Sequence, residues 1–358
     1  MKKLRNIAIA LVVLVFSSII FSYALYQYKL LPTSKSNEIK IIEIKAGDST
    51  YDIGKTLEKN NLIKSSFFFR LYLKLNDNDN LKAGYYELKE NMGVEKIVNK
   101  IAKGDTVNPN AFNITIPEGK NFRYIAKTIA DKTNNTEDEI YALIKDQDYL
   151  NSLIKDYWFL TDDIKNKDIY YSLEGYLFPS TYTVDNKDVK TEDIFKQMLD
   201  QTDKILSKYK GDIEKNNHSI HELLTLASIV ELEGVNDKDR GKIAGVFYNR
   251  LDRNMPLGSD VTTYYAIKLD NYVRDLKSSE INAINDYNTR AQAMAGKLPV
   301  SPICNPGEES IKATIYPEKN DYLYFVADKN KNVYFTKTNA EHEAMIKKIK
   351  DEGNWIEF

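Results

Sequence analysis

Two acidic residues in the segment SIHELLTLASIVELEGV, residues 219–235, are the first candidates for chemistry in this chain. They are Glu231 and Glu233, and a positioned carboxyl group can act as a general acid or base. Residues two apart on a helix point about 200° away from each other and do not face each other. The segment therefore predicts one catalytic acid, Glu231, rather than a facing pair of carboxylates.

A helix is predicted to position Glu231. Ser219 and Glu222 form the S-x-x-E pattern of a capping box, which marks a helix start, and Gly234 marks its end. The apolar stripe of this helix recurs at steps of three and four: Leu223, Leu226, Ala227 and Val230. Glu231 would lie in the last turn, and the residues expected to share its face are Leu224, Ala227 and Ser228. Small residues on that face would let a ligand approach the backbone.

The predicted surroundings of Glu231 disfavour its ionised form. The negative end of the helix dipole is close, and the expected apolar neighbours are Ile229, Val230 and Leu232. A carboxyl group kept protonated in this way can donate a proton, as a general acid must. The alternative is a solvent-exposed glutamate on an amphipathic helix, which is what most glutamates are.

Composition argues against several other kinds of site. Three histidines and one cysteine, Cys304, match no usual zinc-ligand spacing and permit no intramolecular disulfide. The formal net charge of -2 does not favour nucleic-acid binding, which needs a basic face. We therefore expect no metal, no organic cofactor and no nucleic-acid partner. The length of 358 residues suggests two or three structural units.

An apolar N-terminal segment predicts a membrane anchor. Residues 6–26 contain no charged residue and are about as long as a bilayer span, roughly 20 residues. Residues 1–5 include three basic side chains, so we expect a cytoplasmic tail followed by a single span and an extracytoplasmic chain. A cleaved signal peptide with its cleavage site at residues 22–24 is the alternative. The apolar stretch is longer than the roughly 7–15 residues typical of signal peptides.

A small α+β unit is predicted over residues 40–105, after a polar tether at residues 27–39. Its expected elements are a strand carrying Ile39, Ile41 and Ile44, a helix after Ser49 carrying Ile53 and Leu57, a helix carrying Phe67, Phe68, Leu71 and Tyr72, a strand at 83–88 and a helix from Val94 to Ile101. The run from Ile42 through Leu57 resembles a LysM-type wall-binding module. A purely structural spacer domain is the alternative.

The chain also contains an internal echo at an offset of 72 residues. Ile44-Lys-Ala-Gly47 followed by Ile53-Gly-Lys-Thr-Leu57 lines up with Ile116-Pro-Glu-Gly119 followed by Ile125-Ala-Lys-Thr-Ile129. Both runs predict a strand, a glycine turn and a helix. A duplicated module is one interpretation, and the general similarity of all strand–turn–helix units is the other.

The larger part of the chain, residues 110–358, is predicted to be a mixed α/β domain. It is helix-rich from Thr191 to about Ile267, and YLYFVAD and NVYF near residues 322–336 predict a hairpin. Eight motifs in this part share one order along the chain: LEGYLFPSTY (173–182), LASIVELEG (226–234), VFYNRL (246–251), MPLGSD (255–260), YNT (287–289), PICNPG (302–307), YLYFVAD (322–328), and Thr338 with Glu341-His342.

Together these motifs resemble the endolytic murein transglycosylase family. The resemblance implies an α+β protein with an N-terminal transmembrane helix, a LysM-like unit and a larger catalytic domain at 110–358. It also implies that Glu231 is the catalytic acid. The implied reaction cleaves the MurNAc-GlcNAc bond of nascent peptidoglycan strands, leaves 1,6-anhydro-MurNAc ends and so terminates strand elongation. Glycan strands are then the substrate, and peptidoglycan synthases are candidate partners.

The resemblance also implies a set of substrate-binding residues: Glu233, Tyr248, Ser259, Asp260, Tyr287 and Asn288. Each of the polar loop residues in this set has a structural cap or turn role as its alternative. Gly258 stands where the family usually has glutamine, which puts one substrate contact in doubt. Two other functions stay open, a non-catalytic wall-binding or divisome scaffold and a muramidase that uses water. Anhydro ends, no cleavage and reducing ends, respectively, would separate the three.

Overall fold

The long N-terminal helix α1 (Lys2–Leu30) contains the predicted span and continues past it. The computed structural model describes residues 2–78, 80–234, 236–270 and 273–355. Helix α1 is long and apolar enough to cross a bilayer, a property that anchors and signal sequences share. The predicted tether is shorter than expected, because α1 extends through Leu30 and the next residues are bound. The Thr33 amide donates to the Glu90 carbonyl over 3.1 Å.

The chain divides into two units, Met1–Ala111 and Phe112–Phe358. After α1, the first unit consists of β1 (Ile39–Ile44), α2 (Thr50–Lys59), α3 (Ser66–Leu75), β2 (Gly84–Lys89) and α4 (Val94–Lys103). Strands β1 and β2 pair antiparallel, with Ile41 opposite Glu87. The predicted strand–helix–helix–strand–helix order of this unit is confirmed.

Which side chains of the first unit face inward differs from the prediction in two elements. In β1 the core residues are Ile42 and Ile44, while Ile41 is exposed. In α3 the core residues are Phe69 and Leu73, and the predicted Phe67 is 60% exposed. Both segments are apolar on two faces, so spacing alone could not tell which face packs inward.

The second unit begins with the strand–turn–helix pair β3 (Phe112–Thr115) and α5 (Phe122–Lys132). The elements that follow are α6 (Glu137–Leu143), α7 (Gln147–Asp156), β4 (Thr181–Val184), α8 (Thr191–Leu206), α9 (Lys210–Ile213), α10 (Ile220–Glu233), α11 (Asp237–Asp252), α12 (Asp260–Ala266), α13 (Ser278–Ile281), α14 (Glu308–Ile315), β5 (Tyr324–Ala327), β6 (Val333–Thr336) and α15 (Asn339–Asp351). Strand β3 pairs antiparallel with β4, and β5 with β6, as the predicted hairpin requires.

Helix α10 lies between two hydrophobic clusters of the second unit. Leu223 and Leu224 belong to the cluster built around α5 and α8, whereas Leu226 and Val230 pack with α11 and Tyr287. Burial on both sides fixes the axis of α10. The position of its last turn, which carries Glu231, is thereby fixed as well.

Candidate active site

The helix that carries Glu231 has the ends that the sequence predicts. Ser219 is its N-cap, and the side chains of Ser219 and Glu222 complete a capping box. The helix ends at Glu233, with Gly234 as the C-cap. Glu231 therefore lies in the last turn, as expected.

The small residues beside Glu231 have a different role from the predicted one. Ala227 and Ser228 are fully buried, and the Ser228 hydroxyl accepts a hydrogen bond from the Ile303 amide at 3.0 Å. The Ser228 carbonyl also accepts from the Cys304 thiol. The small side chains accommodate the loop at residues 302–307, so protein rather than a ligand covers the backbone at Ala227 and Ser228.

The Glu231 carboxylate is surrounded by hydrogen-bond donors. Its Oε2 accepts from the Gly307 amide at 3.0 Å and from the Ser310 hydroxyl at 2.7 Å. Its Oε1 lies 3.3 Å from Nη2 of Arg240, and the Glu231 side chain is 7% exposed. Gly307 is the N-cap of α14, so the carboxylate lies at the positive end of that helix. These donors, which the sequence did not predict, act against the expected effects of the apolar neighbours and of the α10 dipole on the carboxylate.

Arg240 connects the end of α10 to the starts of α11 and α14. Its Nη1 donates to the Ser310 hydroxyl at 2.6 Å, and its Nε donates to Asp237 at 3.1 Å. The guanidinium thus contacts both Glu231 and Ser310, a partner of Glu231. This network holds the carboxylate in one orientation.

A second carboxylate, Glu118, lies beside the same loop. It belongs to the turn between β3 and α5, and a Cβ added to Gly307 would lie 2.1 Å from its Oε1. Glu231 and Glu118 therefore lie on either side of Gly307, with carboxylate oxygens at most roughly 8 Å apart by standard backbone dimensions. Desolvation and then the negative charge of Glu231 raise the pKa of Glu118.

Glu174 holds the turn of Glu118 and the loop of Gly307 together. This buried carboxylate accepts from the Phe122 amide with both oxygens, at 2.9 and 3.0 Å, and from the Asn305 side chain at 3.1 Å. Asn305 in turn accepts from the Gly119 amide and donates to the Lys120 carbonyl. Burial raises the pKa of Glu174 to about 7.

Glu233 and Glu231 contact different elements, as the helix geometry predicts. The Glu233 carboxylate accepts from the Ser259 hydroxyl at 2.6 Å, just before α12. Desolvation raises the pKa of Glu233. Asp260, the first residue of α12, is exposed and pairs with Arg290 at 2.7 Å. Glu233, Ser259 and Asp260 therefore form a polar group next to the end of α10.

The other predicted substrate-binding residues make internal contacts. Tyr287 is 1% exposed, and its hydroxyl bonds to the Tyr170 amide and to Ser301. Asn288 is fully buried, and its amide donates to carbonyls of residues 280, 281 and 283. The Tyr248 hydroxyl donates to the Thr314 carbonyl at 2.9 Å. These contacts indicate structural roles, and substrate binding by these three residues stays a prediction.

Sequence reasoning missed the partners of Glu231. Arg240 carried no signal, because its contact depends on how two helices pack. Gly307 stood in the PICNPG motif, without a role. Glu118 stood in the internal echo, where its counterpart is Ala46, so an added acid at this turn was the available signal.

Comparisons with known proteins match most of this chain to one family and to relatives that share one name. The model of the YceG-like family matches residues 42–348. A protein of Bacillus subtilis (strain 168) named endolytic murein transglycosylase is 40% identical over 321 residues, which are 89% of this chain and 87% of that protein. The protein of that name from Streptococcus pneumoniae serotype 2 is 35% identical over 90% of this chain, and the match spans 61% of the longer relative.

A solved structure shares the fold. The 2.6 Å crystal structure of a YceG-like protein from Listeria monocytogenes is 39% identical to this chain and superposes with a TM-score of 0.61. The match covers 87% of this chain and 100% of that one.

Proposed function

We infer that this chain, which belongs to the YceG-like family, is an endolytic murein transglycosylase, a lyase that acts on peptidoglycan. It cleaves the MurNAc-GlcNAc bond within glycan strands without consuming water. The observation that carries the role of the site is the Glu231 carboxylate, which three donors hold at the start of α14. A single oriented carboxyl group is what an intramolecular transfer requires, whereas most hydrolytic glycosidases use two.

We propose that Glu231 acts first as acid and then as base. Its proton goes to the glycosidic oxygen as the bond from that oxygen to C1 of MurNAc breaks, and the GlcNAc part leaves as an alcohol. The 6-hydroxyl of the same MurNAc then bonds to C1, and its proton returns to Glu231. The product is a 1,6-anhydro-MurNAc end, and the enzyme recovers its starting protonation state.

The donors around Glu231 contribute to the middle of this sequence. After the first proton transfer the carboxylate is an anion beside a sugar that carries positive charge. The Gly307 amide, the Ser310 hydroxyl and Arg240 stabilise that anion and keep it oriented toward the sugar. Because these groups are already in place, little reorganisation accompanies the reaction.

We propose that Glu118 is a second acidic residue of the same candidate active site, beside Gly307. Desolvation and the nearby charge of Glu231 raise the pKa of Glu118, so Glu118 keeps its proton to higher pH than an isolated glutamate does. A protonated Glu118 can donate a hydrogen bond to the substrate while Glu231 is ionised. We further propose that Glu233, Ser259 and Asp260 bind the glycan farther along the strand.

A muramidase that uses water is a second candidate, because a second carboxylate, Glu118, lies beside the same glycine, Gly307, as Glu231. Inverting glycosidases place their two carboxyl groups roughly 6.5–9.5 Å apart, which leaves room for a water molecule. A separation of Glu118 and Glu231 within that range, below the upper limit of roughly 8 Å from backbone dimensions, is what this mechanism requires. In that mechanism Glu118 activates water, and the products have reducing ends.

We propose that α1 anchors the enzyme in the cell membrane with its N-terminus in the cytoplasm. The basic residues before the apolar stretch favour this orientation. The units that follow then lie outside, where they reach nascent strands, and cleavage there terminates strand elongation. Peptidoglycan synthases are the expected partners. The LysM-like unit is a candidate to hold glycan near the active site.

The test is product analysis with purified full-length protein and isolated glycan strands. The wild-type protein is expected to release anhydro-MurNAc ends, seen by mass spectrometry. Glu231→Gln should lower the rate by roughly 10²–10⁴-fold, because the amide can neither donate nor accept the proton. Glu233→Gln is the matched control and should lose much less, since its carboxylate contacts Ser259 instead.

Three outcomes would contradict the proposal. Reducing ends would establish the muramidase, and intact strands would indicate a scaffold. Substantial activity of Glu231→Gln, in a sample free of other lytic enzymes, would exclude the assigned acid. Melting temperature accompanies the assay, since Glu231→Gln also removes the charge partner of Arg240 and should lower the free energy of unfolding by about 1–3 kcal/mol.

A further inference from the structure

Helix α3 is apolar on two opposite faces. One face packs into the core of the first unit through Phe69 and Leu73, which are 0% and 3% exposed. On the other side Phe67 is 60% exposed and Leu75 is 63% exposed. A helix that packs one stripe on a core normally shows charged and polar residues on the other side. The exposed apolar face of α3 therefore calls for a separate explanation.

The apolar residues on the outer side of α3 form one continuous face, in which Phe67 and Leu75 are exposed and Phe68 and Leu71 are half-buried. At about 100° per residue, the side chains of Phe67, Phe68, Leu71 and Leu75 fall on the side opposite Phe69 and Leu73. Arg70 and Lys74 are exposed and lie at the border between the two faces. The helix sequence SFFFRLYLKL contains no acidic residue. The exposed surface is thus apolar in its centre and basic along one edge.

Contacts within the first unit place this face beside the end of α1. The rings of Phe68 and Tyr26 lie 6.3 Å apart, and Phe67 meets Phe68 edge-on at 5.3 Å. Lys64, just before α3, donates to the Tyr28 carbonyl at 3.2 Å, and its ammonium lies 3.9 Å from the centre of the Tyr28 ring. Tyr26 is the last residue of the predicted membrane span, residues 6–26. The apolar face of α3 consequently begins at the level where α1 would leave the bilayer.

We propose that the exposed face of α3 lies in the outer surface of the membrane, between lipid headgroups and acyl chains. Phenylalanine and leucine side chains enter that boundary, while the tyrosines of α1 and the basic edge of α3 lie at headgroup level. Arg70 and Lys74 pair with anionic headgroups there. The first unit is then held against the bilayer by two elements, the span and the interfacial helix. This inference rests on the proposed membrane anchor.

The consequence for function is a fixed height of the first unit above the membrane. A unit attached only through a flexible linker samples a range of distances from the bilayer. With α3 in the interface, the first unit, up to residue 111, stays at a fixed distance from the membrane. The LysM-like unit, a candidate glycan-binding unit, would then meet glycan strands within a narrow band of distances from the bilayer.

The experiment measures the surroundings of single residues in the full-length protein. A nitroxide label is attached to Phe67→Cys in vesicles of phosphatidylethanolamine and phosphatidylglycerol. The native Cys304 is buried and does not react. Ile41→Cys is the matched control, since Ile41 is an apolar side chain of the same unit, 48% exposed, on the strand β1. Collision rates with oxygen, which enters lipid, and with a water-soluble nickel complex are compared.

The expected ratio of oxygen to nickel collisions is several-fold higher at position 67 than at position 41. Leu75→Cys repeats the measurement at the other end of α3 and should show the same high ratio of oxygen to nickel collisions. Flotation of the protein with the vesicles is checked in the same samples. If the protein floats but the labels at 67 and 75 both collide mainly with the nickel complex, the exposed face of α3 lies in water. This result would overturn this inference but not the membrane anchor.

Two further results are decisive. A label at 67 that neither reagent reaches would mean that protein covers the face, which also overturns the inference. A protein that does not float would overturn the anchor and this inference together, while the catalytic proposal would stand on its product analysis.

Discussion

Two regions of this chain have the same local fold and different surroundings. One is the strand–turn–helix unit β1–α2, and the other is β3–α5, 72 residues later. The turn glycines, Gly47 and Gly119, both have positive φ, 91° and 73°. The helices start after equivalent N-caps, Ser49 and Asn121, whose side chains each accept from the amide three residues on. The repeated residues thus specify the same backbone twice.

The two units differ in what packs on the turn. A Cβ added to Gly47 would meet nothing within 4 Å, whereas one added to Gly119 would lie 3.3 Å from Leu232 and 3.6 Å from the Cγ of Glu231. The residue before the glycine is Ala46 in the first unit and Glu118 in the second. The same turn is therefore free in one unit and part of the candidate active site in the other.

The starts of the two helices differ in the same way. Helix α2 is capped locally, by a capping box between Ser49 and Asp52. Helix α5 also receives Glu174, which lies 52 residues away in sequence and accepts from the Phe122 amide. Local residues suffice to form such a unit. Contacts from distant segments are what give the second one a place in the site.

The largest expected effect is that of Glu174→Gln, which changes the contact between Glu174 and the Phe122 amide. The pKa of Glu174 is about 7 in the folded protein against an ordinary value of 4.5, so the folded state binds this proton more tightly. Its contribution to the free energy of unfolding is fully present below pH 4.5 and is lost as pH rises through 7. The wild-type protein should lose up to about 3 kcal/mol over this range.

The measurement is denaturant unfolding of the full chain in detergent at pH 4.5 and pH 8. Glu174→Gln should lose this part of the pH dependence, because the amide does not titrate. Asp52→Asn, in the cap of α2, is the matched change and should leave the decline between these pH values in place. An unchanged pH dependence in Glu174→Gln would mean that burial does not raise the pKa of Glu174 in the folded protein.

The next effect concerns the added acid, in Glu118→Gln. We expect a loss of cleavage rate of about tenfold, as for a group that assists proton transfer without carrying it alone. Because the pKa of Glu118 is raised and glutamine does not titrate, the part of the pH–rate profile that follows the titration of Glu118 should be absent from the variant. Glu343→Gln, an exposed acid on α15, is the matched control and should leave the profile in place.

The products of Glu118→Gln sharpen the choice between mechanisms. A lytic enzyme should still release anhydro ends, only more slowly. A muramidase that uses Glu118 to activate water should lose nearly all formation of reducing ends. An unchanged rate and profile would place Glu118 outside the chemistry, and the two turns would then differ only in packing.

Much of the fold follows from the sequence because its signals are local. The capping box at Ser219, the glycine stop at Gly234 and the strand–helix order of the first unit all depend on neighbouring residues. The surroundings of Glu231 do not, because Arg240 and Ser310 reach it from other helices. Those contacts surround the carboxylate with donors that the sequence did not predict. In α3 the error had another cause, since a helix with two apolar faces does not reveal which one packs inward.

The smallest expected effect compares the two turn glycines directly, in Gly47→Ala and Gly119→Ala. Both alanines must adopt a positive φ, which costs about 1–2 kcal/mol of the free energy of unfolding in either unit. Only the second one also comes within 3.3 Å of Leu232, which must move by a few tenths of an ångström, and into ordinary van der Waals contact with Glu231 at 3.6 Å. A 1 Å misplacement of a catalytic group can cost roughly 100-fold. A shift of a few tenths of an ångström should therefore cost less than about tenfold in cleavage rate.

Rates on isolated glycan strands and melting temperatures are measured for both variants, and Gly47→Ala should keep full activity. Equal losses of activity would contradict the view that contact with Glu231 distinguishes the second turn from the first.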